Sequence, residues 1–163
     1  MRKTGFAPIV DERSRVLVLG TFPSLLSRRE EWYYAHPRNA FWPILFRIYG
    51  RAFDRPGLEE KRGLLLENGV ALWDVVASCE TEGSADTEIK SPVLIDLTGF
   101  LREHAGIKRV CYNGGNAARF AKGLGPLPVP GLTLPSTSPA NARYHFDAKL
   151  EIWRNAILKE ESV

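Results

Sequence analysis

The 163-residue sequence is short of the side chains that build metal and disulfide sites, with two cysteines and three histidines. Cys79 and Cys111 cannot supply a four-cysteine zinc or iron–sulfur site, and His36, His104 and His145 share no ligand spacing. No metal and no cofactor are expected. No apolar run approaches the roughly 18 residues of a membrane helix. The opening "MRKTGFAPIVDERSR" carries basic residues but no apolar h-region, which argues against a secretory signal. A cytoplasmic protein with no membrane association, acting as a monomer, is the expectation. Repeats and low-complexity tracts are missing. So are a Walker motif and a G-x-G-x-x-G run, which disfavours a generic nucleotide-binding protein.

What remains is ordinary in bulk. Hydrophobic residues at 44% and charged residues at 25% suit a soluble globular chain of one domain spanning 1–163. A net charge of +3 permits a polyanionic partner without requiring one.

Short apolar runs recur at 15–20 ("RVLVLG"), 69–76 ("GVALWDVV"), 108–113 ("KRVCYN") and 131–136 ("GLTLPS"). They lack strict alternation, as strands buried on both faces of a parallel sheet do. Helical patterns lie between them at about 39–50, 57–67, 95–105, 115–124 and 144–160. In the last, Phe146, Leu150, Trp153 and Ile157 form one stripe. Alternation of strand and helix predicts an α/β fold with a central parallel sheet. The Ser/Glu/Thr-rich stretch 78–92 reads as a loop, and "SRREE" (27–31) as a solvated face. Cys111 reads as a buried free thiol.

Ligands in such sheets bind outside the carboxyl ends of the strands. Four segments leave the strands there: "GTFPS", "WDVVASCETEGSADTEIK", "YNGGN" and "LPSTSPANAR". One composite site at that edge follows. An aromatic cluster, Trp32, Tyr33, Tyr34, Phe41 and Trp42, with His36 and Asn39 among it, sits in the loop beyond the first of them.

In this order, "GTFPS", "YYAHPRNAFW", "GVALWDV" and "LPSTSPANAR" resemble the uracil-DNA glycosylase superfamily. The Gly-Thr-Phe-Pro-Ser form is most similar to its hypoxanthine-DNA (deoxyinosine) glycosylase branch. The likeness runs from about Pro8 to the final helix. It implies a three-layer α/β/α sandwich around a four-stranded parallel sheet. It also implies a monofunctional enzyme of base excision repair, whose partner is DNA containing a deaminated base. Hypoxanthine is the expected target. A uracil/thymine mismatch glycosylase and a non-catalytic binder of damaged DNA stand as alternatives.

Carried over residue by residue, the resemblance puts Thr21, Phe22, Tyr34 and Asp74 at the base pocket. Tyr34 is the ring that stacks on the extruded base; a core aromatic pinning its loop is the plainer reading. Phe41 and Trp42 read as core. Most of the superfamily has Asp or Asn at the position of Phe22, orienting the attacking water, which a phenyl ring cannot do. Asn39 is the replacement, able to bond water and departing base although no true base. It equally suits a helix cap. Asp74 aligns with the base-reading asparagine; its carboxylate accepts only, matching the N1–H of hypoxanthine rather than adenine N1.

Ser24, Ser136, Thr137, Ser138 and Asn141 are expected to hold the DNA backbone, with Arg143 close behind. Ala140 lies where some relatives carry a wedging arginine, so the plug is smaller or comes from Arg143. Gly114 and Gly115 read as a tight turn before a helix. No lysine falls in these motifs, which argues against a Schiff-base nicking step.

Overall fold

The computed structural model describes residues 2–81, 89–141 and 144–159. Its main sheet is built from β2 (Val16–Gly20), β3 (Val70–Asp74), β6 (Arg109–Asn113) and β7 (Gly131–Leu134), ordered β3-β2-β6-β7 and parallel throughout. In β2, Val16 and Val18 face one side and Leu17 and Leu19 the other, and all four are fully buried. That two-sided burial explains why the strand reads as a continuous apolar run.

Helices α2 (Phe41–Ile48), α3 (Leu58–Glu67) and α6 (Phe146–Ile157) contribute to the hydrophobic cluster on one face. On the other face, α4 (Leu97–Glu103) and α5 (Gly115–Ala121) contribute Leu97, Phe100, Leu101 and Ala121. The result is the α/β fold with a central parallel sheet that the strand and helix patterns predict, in the three-layer α/β/α form that the resemblance implies. Phe41, Trp42 and Trp153 interlock in the first cluster, with Phe41 edge-on to both tryptophans at centroid distances of 4.8 and 6.0 Å. Pro43 falls in the first turn of α2, where its missing N–H breaks no helical bond. In α6, Leu150, Trp153 and Ile157 are buried, whereas Phe146 at the first turn is exposed.

Two readings need correction. The stretch 78–92 is not simply a loop. β4 (Val76–Glu80) and β5 (Lys90–Leu94) pair antiparallel, and β1 (Arg2–Thr4) joins β4 on its other edge. Residue 75 alone separates β3 from β4, so one apolar run feeds two sheets. The stretch 27–31 is not a solvated face throughout. It belongs mostly to α1 (Leu25–Glu30), and Ser27 is buried with its Oγ accepting the Ala35 N–H at 3.1 Å. Cys79 and Cys111 are buried free thiols, and burial pushes Cys111 up to about 11. Among the described residues no helix is long and apolar enough to cross a membrane.

The chain starts the main sheet at β2, adds β3 on one side and then returns to place β6 on the other. The strand order therefore switches between β2 and β6, and a crevice opens at their carboxyl ends.

Candidate functional site

A cleft of about 730 Å³ occupies that switch point. Gly20 and Thr21 reach it from β2, Asp74 from β3, Asn113 from β6 and Ser136 from beyond β7. Phe22, Tyr34, His36 and Asn39 line it as well. All four strand ends thus contribute to one place.

Gly20 forms the floor. A Cβ there would lie 2.5 Å from Asp74 Oδ1 and 2.6 Å from the Tyr34 hydroxyl oxygen. Any side chain would displace both groups, so the missing one lets the carboxylate and the phenol converge. Asp74 is only 5% exposed. Its charge adds to burial in raising the pKa of neighbouring Tyr33, burial being the larger cause. Tyr33 therefore stays a neutral phenol, donating to the Ala7 carbonyl at 2.7 Å.

Tyr34 adopts a left-handed backbone, φ 53°, which is strained for an aromatic residue. One face of its ring stacks on buried Phe41 at 4.3 Å and 27°. It remains half-buried and borders the cleft, so it both anchors its loop and presents an aromatic surface. Phe22, half-buried and also lining the cleft, carries the Arg28 guanidinium over its ring at 5.7 Å. It offers hydrocarbon and no acceptor to the cleft.

Asn39 sits just before α2. Its Oδ1 accepts the Phe41 N–H at 2.9 Å, and its own N–H donates to the His36 carbonyl at 2.9 Å. The amide is thus oriented by the helix start it satisfies. Its Nδ2 hydrogens and the second lone pair of Oδ1 are left for other partners. Capping and a role in the cleft do not compete. His36 Nδ1 accepts the Arg38 N–H at 3.1 Å.

The loop following β7 is held from inside. Asn113 Nδ2 donates to Thr137 Oγ1 at 2.9 Å while Thr137 N–H donates to Asn113 Oδ1 at 3.0 Å. The Thr137 carbonyl accepts the Ala40 N–H at 2.9 Å, joining this loop to the start of α2 beside Asn39. At 1% exposed, Thr137 is a pin rather than the surface backbone ligand expected of it. Ser24 likewise caps α1, its Oγ accepting the Ser27 N–H at 3.1 Å and donating to Ser27 Oγ at 3.1 Å. It borders the cleft with its hydroxyl already engaged.

Ser136 and Ser138 differ from Thr137. Ser136 Oγ accepts the Ser138 N–H at 3.1 Å, and Ser138 Oγ accepts the Ala140 N–H at 3.2 Å. Each oxygen takes a loop hydrogen, leaving its own O–H able to donate to a group in the cleft. Asn141 Nδ2 closes the turn onto the Ser136 carbonyl at 3.1 Å, and Ala140 stands exposed at its tip. Arg143, and the plug role expected of it, lie outside the described residues. Gly114 makes the tight turn before α5 at φ 97°, and a Cβ there would come within 3.0 Å of Ser136 Cβ. Sequence reasoning brought Gly20, Asn113 and Asn116 to this edge only as parts of the "GTFPS" and "YNGGN" segments, and gave neither them nor His36 a role of its own. For Asn113 a signal existed, its place at the carboxyl end of a buried strand.

Chemically, the cleft combines a half-buried aromatic face, a buried carboxylate, an oriented amide and serine hydroxyls on one rim. That set can hold a flat heterocycle with hydrogen-bonding edges, and an anionic chain beside it. Comparison with known proteins agrees with this chemistry. Residues 7–159 match the family model of the uracil DNA glycosylase superfamily. A hypoxanthine DNA glycosylase of Methanosarcina acetivorans is 33% identical over 151 residues, covering 93% of this chain and 96% of that protein. One from Methanosarcina barkeri is 34% identical over 144 residues, covering 88% and 90%. The solution NMR structure of a candidate uracil DNA glycosylase from Methanosarcina acetivorans superposes with a TM-score of 0.81 at 31% identity, covering 96% of this chain and 97% of that one.

Proposed function

The chain belongs to the uracil DNA glycosylase superfamily, and from that premise we propose that it excises hypoxanthine from DNA. The reaction hydrolyses the bond between the base nitrogen and C1′ of the deoxyribose. The base leaves with the bonding electrons, water adds its oxygen to C1′, and the water's proton ends on the departing base or solvent. The product is an intact backbone carrying an abasic sugar.

A duplex hides this bond, so the nucleotide is extruded into the cleft. The Tyr34 ring supplies the stacking the base loses, a contribution of roughly 1–3 kcal/mol. Asp74 accepts the N1–H of hypoxanthine. Adenine presents a lone pair at that atom and is repelled by a group that only accepts. Asn39 positions the water and bonds the base as charge develops. It need not remove a proton early, because an oxocarbenium-like sugar is electrophilic enough for a placed water. Phe22 is therefore compatible with activity. The Ser136 and Ser138 hydroxyls and the Asn141 segment hold the backbone beside the extruded nucleotide.

The observation that carries this reading is the convergence of Asp74, Tyr34 and Asn39 on one cleft over Gly20. To test it, the protein is incubated with labelled duplexes containing inosine, uracil, xanthine or a G·T mismatch. Abasic sites are then cleaved with alkali. The inosine strand breaks fastest if the reading holds. Faster breakage at uracil or thymine makes the protein a mismatch glycosylase instead. Tight binding with no breakage on any duplex makes it a non-catalytic binder.

A further inference from the structure

Lys149 lies on α6, away from every motif singled out in the sequence. It is 5% exposed, an unusual state for a lysine, and burial lowers its pKa. Its Nζ donates to the Asn141 carbonyl at 3.1 Å. Among the described residues no carboxylate pairs with it, and desolvation is the sole cause of its lowered pKa. A buried cation without a counter-charge is costly to keep.

One turn further along α6, Trp153 Nε1 donates to the Pro135 carbonyl at 2.9 Å. The helix therefore grips the loop after β7 at both ends, Pro135 through Trp153 and Asn141 through Lys149. Asn113 pins its middle through Thr137. A neutral side chain suffices to hold a carbonyl, as Trp153 does. The charge on Lys149 calls for another explanation.

Ser136 and Ser138, whose hydroxyls border the cleft with their O–H groups able to donate, lie on the loop whose far end Lys149 holds. We propose that Lys149 is a positioning residue for DNA binding. Its ammonium fixes the end of loop 135–141, and its charge is balanced by a backbone phosphate that the Ser136 and Ser138 hydroxyls receive. This rests on the DNA-glycosylase reading. It adds a residue of the final helix that acts through the loop without bordering the cleft.

The test uses the full chain with Lys149→Gln and Lys149→Arg. Gln keeps a donor toward Asn141 without charge, and Arg keeps the charge. Affinity for a duplex holding a tetrahydrofuran abasic-site analogue is measured from 50 to 300 mM salt, with single-turnover cleavage of an inosine duplex at saturating protein. Urea unfolding checks that each variant is folded. Lys149→Gln is expected to bind about tenfold more weakly at low salt and to flatten the log-affinity against log-salt slope by up to one phosphate contact. Affinity should fall more than the saturated rate, and Lys149→Arg should restore the slope. A folded Lys149→Gln with the wild-type slope overturns the proposal, as does equal loss in both variants. Wild-type protein that neither binds nor cleaves would instead remove the functional reading, whatever the variants do.

Discussion

The two ends of the parallel sheet carry hollows of comparable size and opposite construction. At the carboxyl ends is the 730 Å³ cleft, and at the amino ends a 560 Å³ hollow lined by Leu101, Arg102, Lys108, Arg109, Pro130 and Lys159 among others. The amino-end hollow has charged groups but little that organises them. Arg102, Lys108 and Lys159 are exposed, while Arg109 is turned inward to the Ala156 and Ile157 carbonyls at 3.1 and 2.8 Å. At the carboxyl ends, Asp74, Asn113 and Thr137 are buried polar groups, and the two latter lock each other. Volume does not separate the two. Among the described residues the amino-end lining has one buried polar side chain, Arg109, which bonds back onto α6, whereas several buried polar groups from separate segments meet at the cleft. Such groups are costly to bury unless bonded, so their presence marks a place built for directional recognition.

The strongest way to break that contrast is to fill the floor of the cleft. Gly20→Ala puts a methyl group 2.5 Å from Asp74 Oδ1, so the carboxylate and the Tyr34 hydroxyl must shift. Inosine cleavage should drop by about 10²-fold, the scale for misplacing a group by about an ångström. Single-turnover kinetics on a folded variant checks this.

Asp74→Asn sharpens the contrast by altering direction alone. An amide can rotate to donate, so adenine loses its unpaired clash and the inosine-to-adenine cleavage ratio should narrow about tenfold, the scale of one unsatisfied buried group. Identical ratios for both proteins would make Asp74 a structural end to β3.

Thr137→Val removes the partner of Asn113 Nδ2 within a buried pair. It should cost about 1–3 kcal/mol of stability, measured by urea unfolding, and weaken DNA binding through the loosened loop. The smallest effect is expected at the other end. Arg102→Ala combined with Lys108→Ala should leave inosine cleavage within about twofold, since exposed charges there bond to nothing that shapes the cleft.

The parts of the fold legible in the sequence are those with a strong period and burial on both sides. β2, β3, β6 and β7 read as apolar runs because both their faces are covered, and α2 and α6 as stripes. The second sheet was hidden for the opposite reason. β5 ("KSPVL") is mostly exposed and contains Pro92, so it lacks both apolar pattern and propensity. β1 spans three residues, and β4 continues the apolar run of β3 without a turn residue.

In the site, the resemblance singled out Tyr34 and Asp74, and the Phe22 substitution pointed to Asn39; the structure brings all three to one cleft. The motifs gave no sign that Thr137 turns inward while Ser136 and Ser138 do not, since alternation inside a loop follows its hydrogen bonds and not a period. Lys149 was illegible for a related reason. In α6 it reads as one polar residue of an amphipathic helix, and only the tertiary fold buries it.

The most direct measurement compares wild-type protein and Asn39→Ala on an inosine duplex under single-turnover conditions, with affinity for the abasic-analogue duplex measured in parallel. Asn39 is oriented by its bond to the Phe41 N–H. Losing a positioned transition-state hydrogen bond should slow base release by about 10²-fold or more while binding changes little. The helix cap is lost as well, at a cost of about 1 kcal/mol in stability, which urea unfolding separates from the chemistry. A folded Asn39→Ala protein that releases hypoxanthine at nearly the wild-type rate would contradict the assignment and leave Asn39 a cap alone.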